Sequence, residues 1–134
     1  MKMPKAKKEL IDQAIESSLG HLGAAKLMLK KSFYDASIST SYFAILDVAR
    51  GALIYSEVFP KSHHGTIHKF SEEFVKKGIF PKSFGAIMTE VEKYRIEADY
   101  NFKKKFTASQ AKDIYKKAEE FVGVVEKYLK SIEK

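Results

Sequence analysis

The segment DASISTSYFAILDVARGALIYSEVF constrains the fold of this chain more than any other part of its sequence. It begins near Tyr34 or Asp35, stops before Pro60, and as a helix is apolar or small on nearly every side. A helix of that kind has no polar face to present to water, so it is buried among other elements. We therefore expect this segment to form the most buried helix of the chain.

Helical patterns also flank this segment on both sides. Apolar residues recur at the α-helical spacing in stretches that predict helices at about residues 5–31, 34–59, 62–78, 83–99 and 107–132. Ser62, Ser83 and either Thr107 or Ser109 are candidate N-caps, because a hydroxyl can accept a hydrogen bond from the first helical turn. No segment has a convincing strand pattern. The sequence predicts an all-α, up-and-down antiparallel helical bundle with four long helices and one short helix, in a single domain over residues 1–134.

Two glycines lie inside the first predicted helix, at Gly20 and Gly23. Each weakens a helix by about 1 kcal/mol relative to alanine. Alternatively, their lack of a side chain can let a neighbouring helix approach closely.

Arg95 interrupts the apolar stripe of the fourth predicted helix. At about 100° per residue it lies in line with Met88 and Val91 rather than on the outer face of the helix. Removing a guanidinium charge from water costs several kcal/mol unless a partner offsets that cost. The available partners are Asp99 one turn later, a second protein chain, or an anionic ligand such as a phosphate.

Charge and composition narrow the classes of partner. Lysine and arginine total 24 against 17 acidic residues, and the net charge of +7 favours polyanionic partners or acidic proteins. Cysteine is absent, which excludes disulfides, thiolate catalysis and cysteine-bound zinc. No apolar run approaches the roughly 18 residues of a membrane span, and the N-terminal segment has no signal-peptide pattern. We expect a cytoplasmic protein without membrane contact.

Three histidines, His63, His64 and His68, form the only metal-like pattern in the sequence. His64 and His68 are four residues apart, as in a two-histidine site on one helix face. No glutamate lies between them and no third ligand follows nearby, so we interpret the three as histidines of a capped turn. We expect neither a metal nor another cofactor.

Three segments in this order and spacing, SISTSYFAILDVARGALI, SHHGTIHKF and EVEKYRIEADYNF, resemble the HEPN family (higher eukaryotes and prokaryotes nucleotide-binding). The likeness is to its small single-domain prokaryotic branch and covers roughly residues 5–132. The resemblance implies a helical bundle that pairs with a second copy through a two-fold interface. It also implies a metal-independent ribonuclease of the toxin type, neutralised by a cognate minimal nucleotidyltransferase.

The resemblance also assigns roles to particular residues. The family motif is an arginine followed, after about four to six residues, by a histidine. Arg95 matches the arginine, Tyr100 occupies the histidine position, and Phe102 stands where the related branch has a tyrosine. Ile96 follows the motif arginine, where ribonuclease members often have a polar residue. Arg95 and Tyr100 are therefore the candidate catalytic pair, and the candidate RNA- or nucleotide-binding residues are Asp99, Asn101, Lys103, Lys104, Lys105, Asp47 and Arg50.

The chemistry of RNA cleavage gives these residues their expected tasks. Metal-independent cleavage needs a base for the ribose 2′-OH, an acid for the leaving oxygen and cations for the developing charge. Arg95 can hold the phosphate bidentately, while a phenol such as that of Tyr100 is a poor base unless nearby cations acidify it. Five residues of helix turn about 500°, which leaves Arg95 and Tyr100 about 140° apart. Either the helix ends near Asp99 or the site combines residues from two chains.

Two other interpretations stay open. The chain can instead be a non-catalytic HEPN module that binds nucleotide, RNA or a partner protein through the groove around Arg95. In a purely structural interpretation, Arg95 pairs with Asp99 or Glu92, and Asp47 pairs with Arg50 three residues later. The lysines after the fourth helix would then only complement the helix dipole.

Overall fold

The computed structural model describes residues 3–103 and 105–133, which form an all-α helical bundle without a strand in those ranges. The α-helices are α1 (Lys5–Lys30), α2 (Tyr34–Tyr55), α3 (His63–Phe70), α4 (Lys82–Tyr100) and α5 (Ala108–Ile132). A π-helical turn, Ser71–Val75, follows α3 directly. None of the helices in the described ranges combines the length and the apolar character needed to cross a membrane. The predicted fold class, four long helices and one short helix, is confirmed.

Helix α2 lies at the centre of the bundle and contacts α1, α3, α4 and α5. Residues from all around its circumference are buried, including Ile38, Leu46, Ala49 and Leu53. Because apolar side chains leave water on every side of this helix, α2 supplies the core against which the other four pack. The expectation that this segment is the most buried helix is confirmed.

Contacts between neighbouring helices show that α1 and α2 run antiparallel. Ser18 Oγ on α1 donates to the Ala44 carbonyl at 2.6 Å, and Ser37 Oγ on α2 donates to the Ala25 carbonyl at 2.8 Å. Residue numbers therefore rise along one helix as they fall along the other. These hydroxyls are buried, and their bonds to free carbonyl lone pairs offset the cost of removing them from water.

Gly51 on α2 lies where three helices come together. A Cβ at this position would approach Ala14 Cβ on α1 to 3.2 Å and Leu129 Cδ1 on α5 to 3.3 Å. Among residues 3–103 and 105–133, no atom outside the local helix backbone lies within 4 Å of such a Cβ at Gly20 or Gly23. The close approach that these two glycines could permit is therefore not made there, and Gly51 provides it instead.

A cluster of stacked phenyl rings fixes α3 and the π-helical turn against α4 and α5. Phe70 stacks on Phe80 at 5.7 Å between ring centroids, and Phe84 stacks on Phe121 at 4.8 Å. Phe74 joins the same cluster. Because these large side chains are buried together, they hold the end of α3 and the start of α4 at a set distance.

The helix starts follow two of the three capping predictions. Ser62 Oγ accepts from the Gly65 amide, and Thr107 forms a capping box with Gln110. The predicted cap at Ser83 is wrong, because α4 begins one residue earlier, at Lys82, and Pro81 occupies the cap position. The Pro81 carbonyl accepts from Phe84 N at 3.0 Å, so an extended proline starts the helix without a side-chain cap.

Candidate functional site

Arg95 lies on the inner side of α4, where it packs against α2. Its guanidinium carbon stands 4.8 Å from the ring centroid of Tyr42, and its Nη1 donates to Asp99 Oδ2 at 3.4 Å. The side chain is 14% exposed, so part of it still reaches the surface. A cation on an aromatic face gains more when it is partly withdrawn from water. One of the predicted partners of the buried charge is therefore present, since Asp99 pairs with it. The aromatic ring of Tyr42, which the sequence pattern did not predict as a partner, supports the guanidinium as well.

Tyr42 completes the support of Arg95 from within the core. Only 1% of Tyr42 is exposed, and its hydroxyl has no hydrogen-bond partner among the described residues; the same holds for Arg95 Nε. Burial raises the pKa of Tyr42, although Arg95 opposes that rise. Burial works against the charge of Arg95, but Tyr42 and Asp99 outweigh it, and the pKa of Arg95 is raised. Arg95 is consequently cationic throughout the physiological range.

His63 packs on the same two aromatic rings, although the sequence pattern did not place it near Arg95. Its ring lies 6.0 Å from that of Tyr42 and 5.8 Å from that of Phe43, edge-on to the latter. Burial, Arg50 and Arg95 lower the pKa of His63, while Glu92 and Asp47 act in the opposite direction. The sequence feature that could have located His63 is the N-cap at Ser62, because it makes His63 the first residue of α3.

Asp47 and Arg50, both predicted to bind RNA or nucleotide, have different surroundings. Asp47 Oδ2 accepts from Ser17 Oγ at 2.8 Å and lies 2.7 Å from His21 Nδ1. The alternative pairing of Asp47 with Arg50 is therefore wrong, because α1 brings two partners to the carboxylate from the facing side. Arg50 stays exposed, close enough to His63 to lower its pKa.

Tyr100 is the last residue of α4, and 71% of it is exposed. The helix thus ends near the predicted position, but Arg95 and Tyr100 both belong to it and point about 140° apart. Tyr100 is not among the described residues that contact Arg95. Asn101 follows as the C-cap, and its Oδ1 accepts from the Lys103 amide at 3.3 Å. One protomer does not bring Arg95 and Tyr100 to the same point.

The basic run after α4 borders a groove at one end of the bundle. Lys104 lies outside the described residues, whereas Lys105 lines this groove of about 420 Å³. Exposed rings stand on both of its sides, Phe33 from the turn after α1 and Phe102 from the turn after α4. Lys31 is in that α1 turn, so basic residues far apart in the sequence meet at this end.

The other histidines of the predicted turn stand apart from Arg95. His64 is exposed, and His68 Nε2 lies 3.5 Å from Glu72 Oε2 on the outer side of the α3 segment. Within residues 3–103 and 105–133, no three histidine or carboxylate side chains are grouped to hold a metal ion.

Comparison with known proteins adds a family and named relatives. The model of the HEPN domain matches residues 8–128. "Putative toxin MJ0605" from Methanocaldococcus jannaschii is 34% identical over 93% of this chain and 92% of its own length. "Putative toxin MJ0142" from the same organism is 28% identical over 91% and 83% of the two chains. A "UPF0332 protein" from Thermotoga maritima is 27% identical over 84% of this chain and 86% of its own length.

Proposed function

The chain belongs to the HEPN domain family, and on that premise we propose that it is a toxin-type, metal-independent ribonuclease acting as a homodimer. The single observation that carries this proposal is the position of Arg95, the residue that matches the family's motif arginine. Its guanidinium is held on Tyr42 and by Asp99, and part of the side chain reaches the surface. Two relatives that cover most of the chain are named as putative toxins, which supports the toxin class.

The surroundings of Arg95 suit a phosphate that gains negative charge during cleavage. A guanidinium donates two parallel hydrogen bonds to a phosphate, and its contacts with Tyr42 and Asp99 limit its rotation. Such a preorganised cation stabilises a developing phosphorane more than a mobile lysine does. Arg50, exposed nearby, adds positive potential on the same side. Lys103 and Lys105, on the loop that follows α4, would hold the RNA backbone further along the strand.

The direction of Tyr100 supports the proposed homodimer. Because the side chains of Tyr100 and Arg95 diverge on one helix, Tyr100 points away from the Arg95 of its own protomer. It lies next to Ile96 and Phe102, which are also exposed. In a two-fold dimer the same surface patch of both copies forms the interface, so a residue on that patch can reach the site of the other copy. We propose that Tyr100 contributes to the site of the second protomer, together with Asn101 at the same helix end, while Asp99 holds Arg95 of its own protomer. The proposed antitoxin is a cognate minimal nucleotidyltransferase that covers this surface.

Cleavage of RNA in the presence of EDTA tests the proposal. We expect the wild type to cleave, and Arg95→Ala to lose at least about 100-fold in rate, because removal of one preorganised charge costs that much in comparable sites. Lys93→Ala is the matched control, since Lys93 is an exposed cation two residues away on the same helix. The oligomeric state is recorded on every sample. Cleavage that persists unchanged in Arg95→Ala would reject the site.

A mixing experiment tests the two-chain site. Tyr100→Phe and Arg95→Ala are each expected to be inactive as homodimers. After subunit exchange, half of the dimers are mixed and each contains one intact composite site, so about a quarter of the wild-type activity should return. A mixture that stays inactive contradicts a contribution of Tyr100 across the interface. RNA binding that depends on Arg95, without any cleavage, would instead identify a non-catalytic binding module.

A further inference from the structure

His63 and Arg95 share one aromatic support although they come from different helices. The Tyr42 ring centroid lies 4.8 Å from the Arg95 guanidinium carbon and 6.0 Å from the His63 ring centroid. Tyr42 is buried in α2, which packs against both α3 and α4. The central helix therefore holds an imidazole and a guanidinium near one another within a single protomer.

The start of α3 holds His63 in place. Ser62 caps the helix, its Oγ accepting from the Gly65 amide at 2.9 Å, and Thr66 Oγ1 donates back to the Ser62 carbonyl at 3.0 Å. A Cβ at Gly65 would come within 2.9 Å of Ser62 Oγ, so this tight turn requires glycine. The Phe43 ring, edge-on to His63 at 5.8 Å, forms a second wall. The imidazole is thus fixed by the backbone turn behind it and by two rings beside it.

His63 differs from the other two histidines of its turn. It is half-buried, whereas His64 and His68 are exposed and His68 lies beside Glu72. The charged groups that act on His63 are Arg50 and Asp47 from α2 and Arg95 and Glu92 from α4. Burial and the two arginines prevail over the two carboxylates, and the pKa of His63 is lowered. The neutral imidazole, which can accept a proton, is consequently the main form at neutral pH.

We propose that His63 is the general base of the RNA cleavage reaction, in the same protomer as the Arg95 that binds the scissile phosphate. This inference rests on the proposed ribonuclease function. His63 takes the proton of the ribose 2′-OH while the 2′-oxygen forms a bond to the adjacent phosphorus. The bond from phosphorus to the 5′-oxygen breaks, and that oxygen takes a proton from water. The products are a 2′,3′-cyclic phosphate and a 5′-hydroxyl, and the imidazolium returns its proton to solvent.

This assignment supplies the proton acceptor that the motif position in α4 lacks. Tyr100 stands at that position, is exposed, and points away from Arg95 on its own helix. A histidine with a lowered pKa is a better base near neutral pH than a phenol. If His63 is the base, Tyr100 positions the substrate and does not accept the proton.

The test compares His63→Gln with His64→Gln, since His64 is the next residue and is exposed. Cleavage of an oligoribonucleotide is followed from about pH 5 to 8. The wild-type rate should rise with pH until His63 is neutral, and His63→Gln should lose at least about 100-fold together with this rise. His64→Gln should keep both. Circular dichroism of each variant controls for folding.

A second measurement uses the wild type alone. The pKa of His63, obtained by NMR titration of its ring signals, should coincide with the midpoint of the acid limb of the rate profile. If the wild type cleaves and requires Arg95, but His63→Gln retains its rate or the two midpoints differ, this inference fails and the proposed function stands. If the wild type does not cleave RNA, the proposed function and the base role fail together.

Discussion

Arg95 illustrates at the residue scale how a cation is held inside a small helical protein. Its guanidinium packs on Tyr42, and Asp99 lies 3.4 Å away on the same helix. A stacked cation of this kind gains up to about 2 kcal/mol when it is desolvated, which offsets part of the cost of burial. Lysine has no planar group to lie on the ring, so the two residues are not interchangeable at this position.

Gly51 supports a prediction at the same scale. An alanine there would meet Ala14 Cβ at 3.2 Å, and that atom can move only if α1 moves. Gly23→Ala meets no atom within 4 Å and should gain about 1 kcal/mol from helix propensity. We expect Gly51→Ala to lose that gain. Overpacking should lower its free energy of unfolding by at least about a further 1 kcal/mol.

Urea unfolding of the two variants and the wild type measures this difference in the free energy of unfolding. Equal stabilisation by both substitutions would show that α1 and α5 move apart without cost at Gly51.

At the scale of single elements, the starts of the helices are set by local chemistry. Ser62 and Thr107 each accept a hydrogen bond from an amide three residues later, which satisfies a donor that the helix itself leaves free. α4 has Pro81 in its N-cap position and no side chain that accepts such a hydrogen bond. Its first turn is held instead by Phe84, whose ring is buried in the aromatic cluster.

The capping box of α5 allows a matched test. Thr107→Ala should lower the free energy of unfolding by about 1 kcal/mol, because the Gln110 amide loses its acceptor, whereas the bond from the backbone N–H of residue 107 to Gln110 Oε1 remains possible. Ser109→Ala, in the first turn of the same helix, should change it by less than about 0.5 kcal/mol. Thermal and urea unfolding followed by circular dichroism give both values. Equal effects of the two substitutions would mean that the cap does not stabilise the helix.

At the scale of the whole molecule, the end of α4 presents exposed apolar and basic side chains side by side. Ile96 is 47% exposed, Tyr100 follows one turn later on the same face, and Phe102 is 88% exposed. Lys103 and Lys105 continue the chain from there. In the proposed dimer, the apolar side chains of this region would contact the second protomer, and its lysines would bind the RNA backbone. The two interactions use different chemistry, so one region can provide both.

The proposed dimer predicts how a charge on this face acts. Ile96→Glu would bury an unpaired carboxylate at the interface and should weaken dimerisation at least tenfold, about 1.4 kcal/mol. Val124→Glu, at a partly exposed valine of α5, is the control and should leave the dimer intact. Sedimentation equilibrium measures both constants. If Ile96→Glu dimerises like the wild type, the interface lies on another face.

The sequence by itself determined the helices, because a helix depends on contacts between residues three and four apart, which periodicity and capping residues encode locally. The burial of α2, the caps at Ser62 and Thr107, and the place of Arg95 in an apolar stripe all follow from such short-range patterns. The start of α4 was predicted less well, because Pro81 and not Ser83 occupies its N-cap position.

Only the tertiary structure decided which helices meet, because packing joins residues far apart in the chain that no local pattern relates. Packing brings His63 and Arg95 to the same tyrosine, Tyr42. It makes Ser17 and His21, rather than Arg50, the partners of Asp47. It also places the close approach between helices at Gly51. The charge of Arg95 could be seen in the sequence, but the ring that supports it comes from α2, which packs against α4.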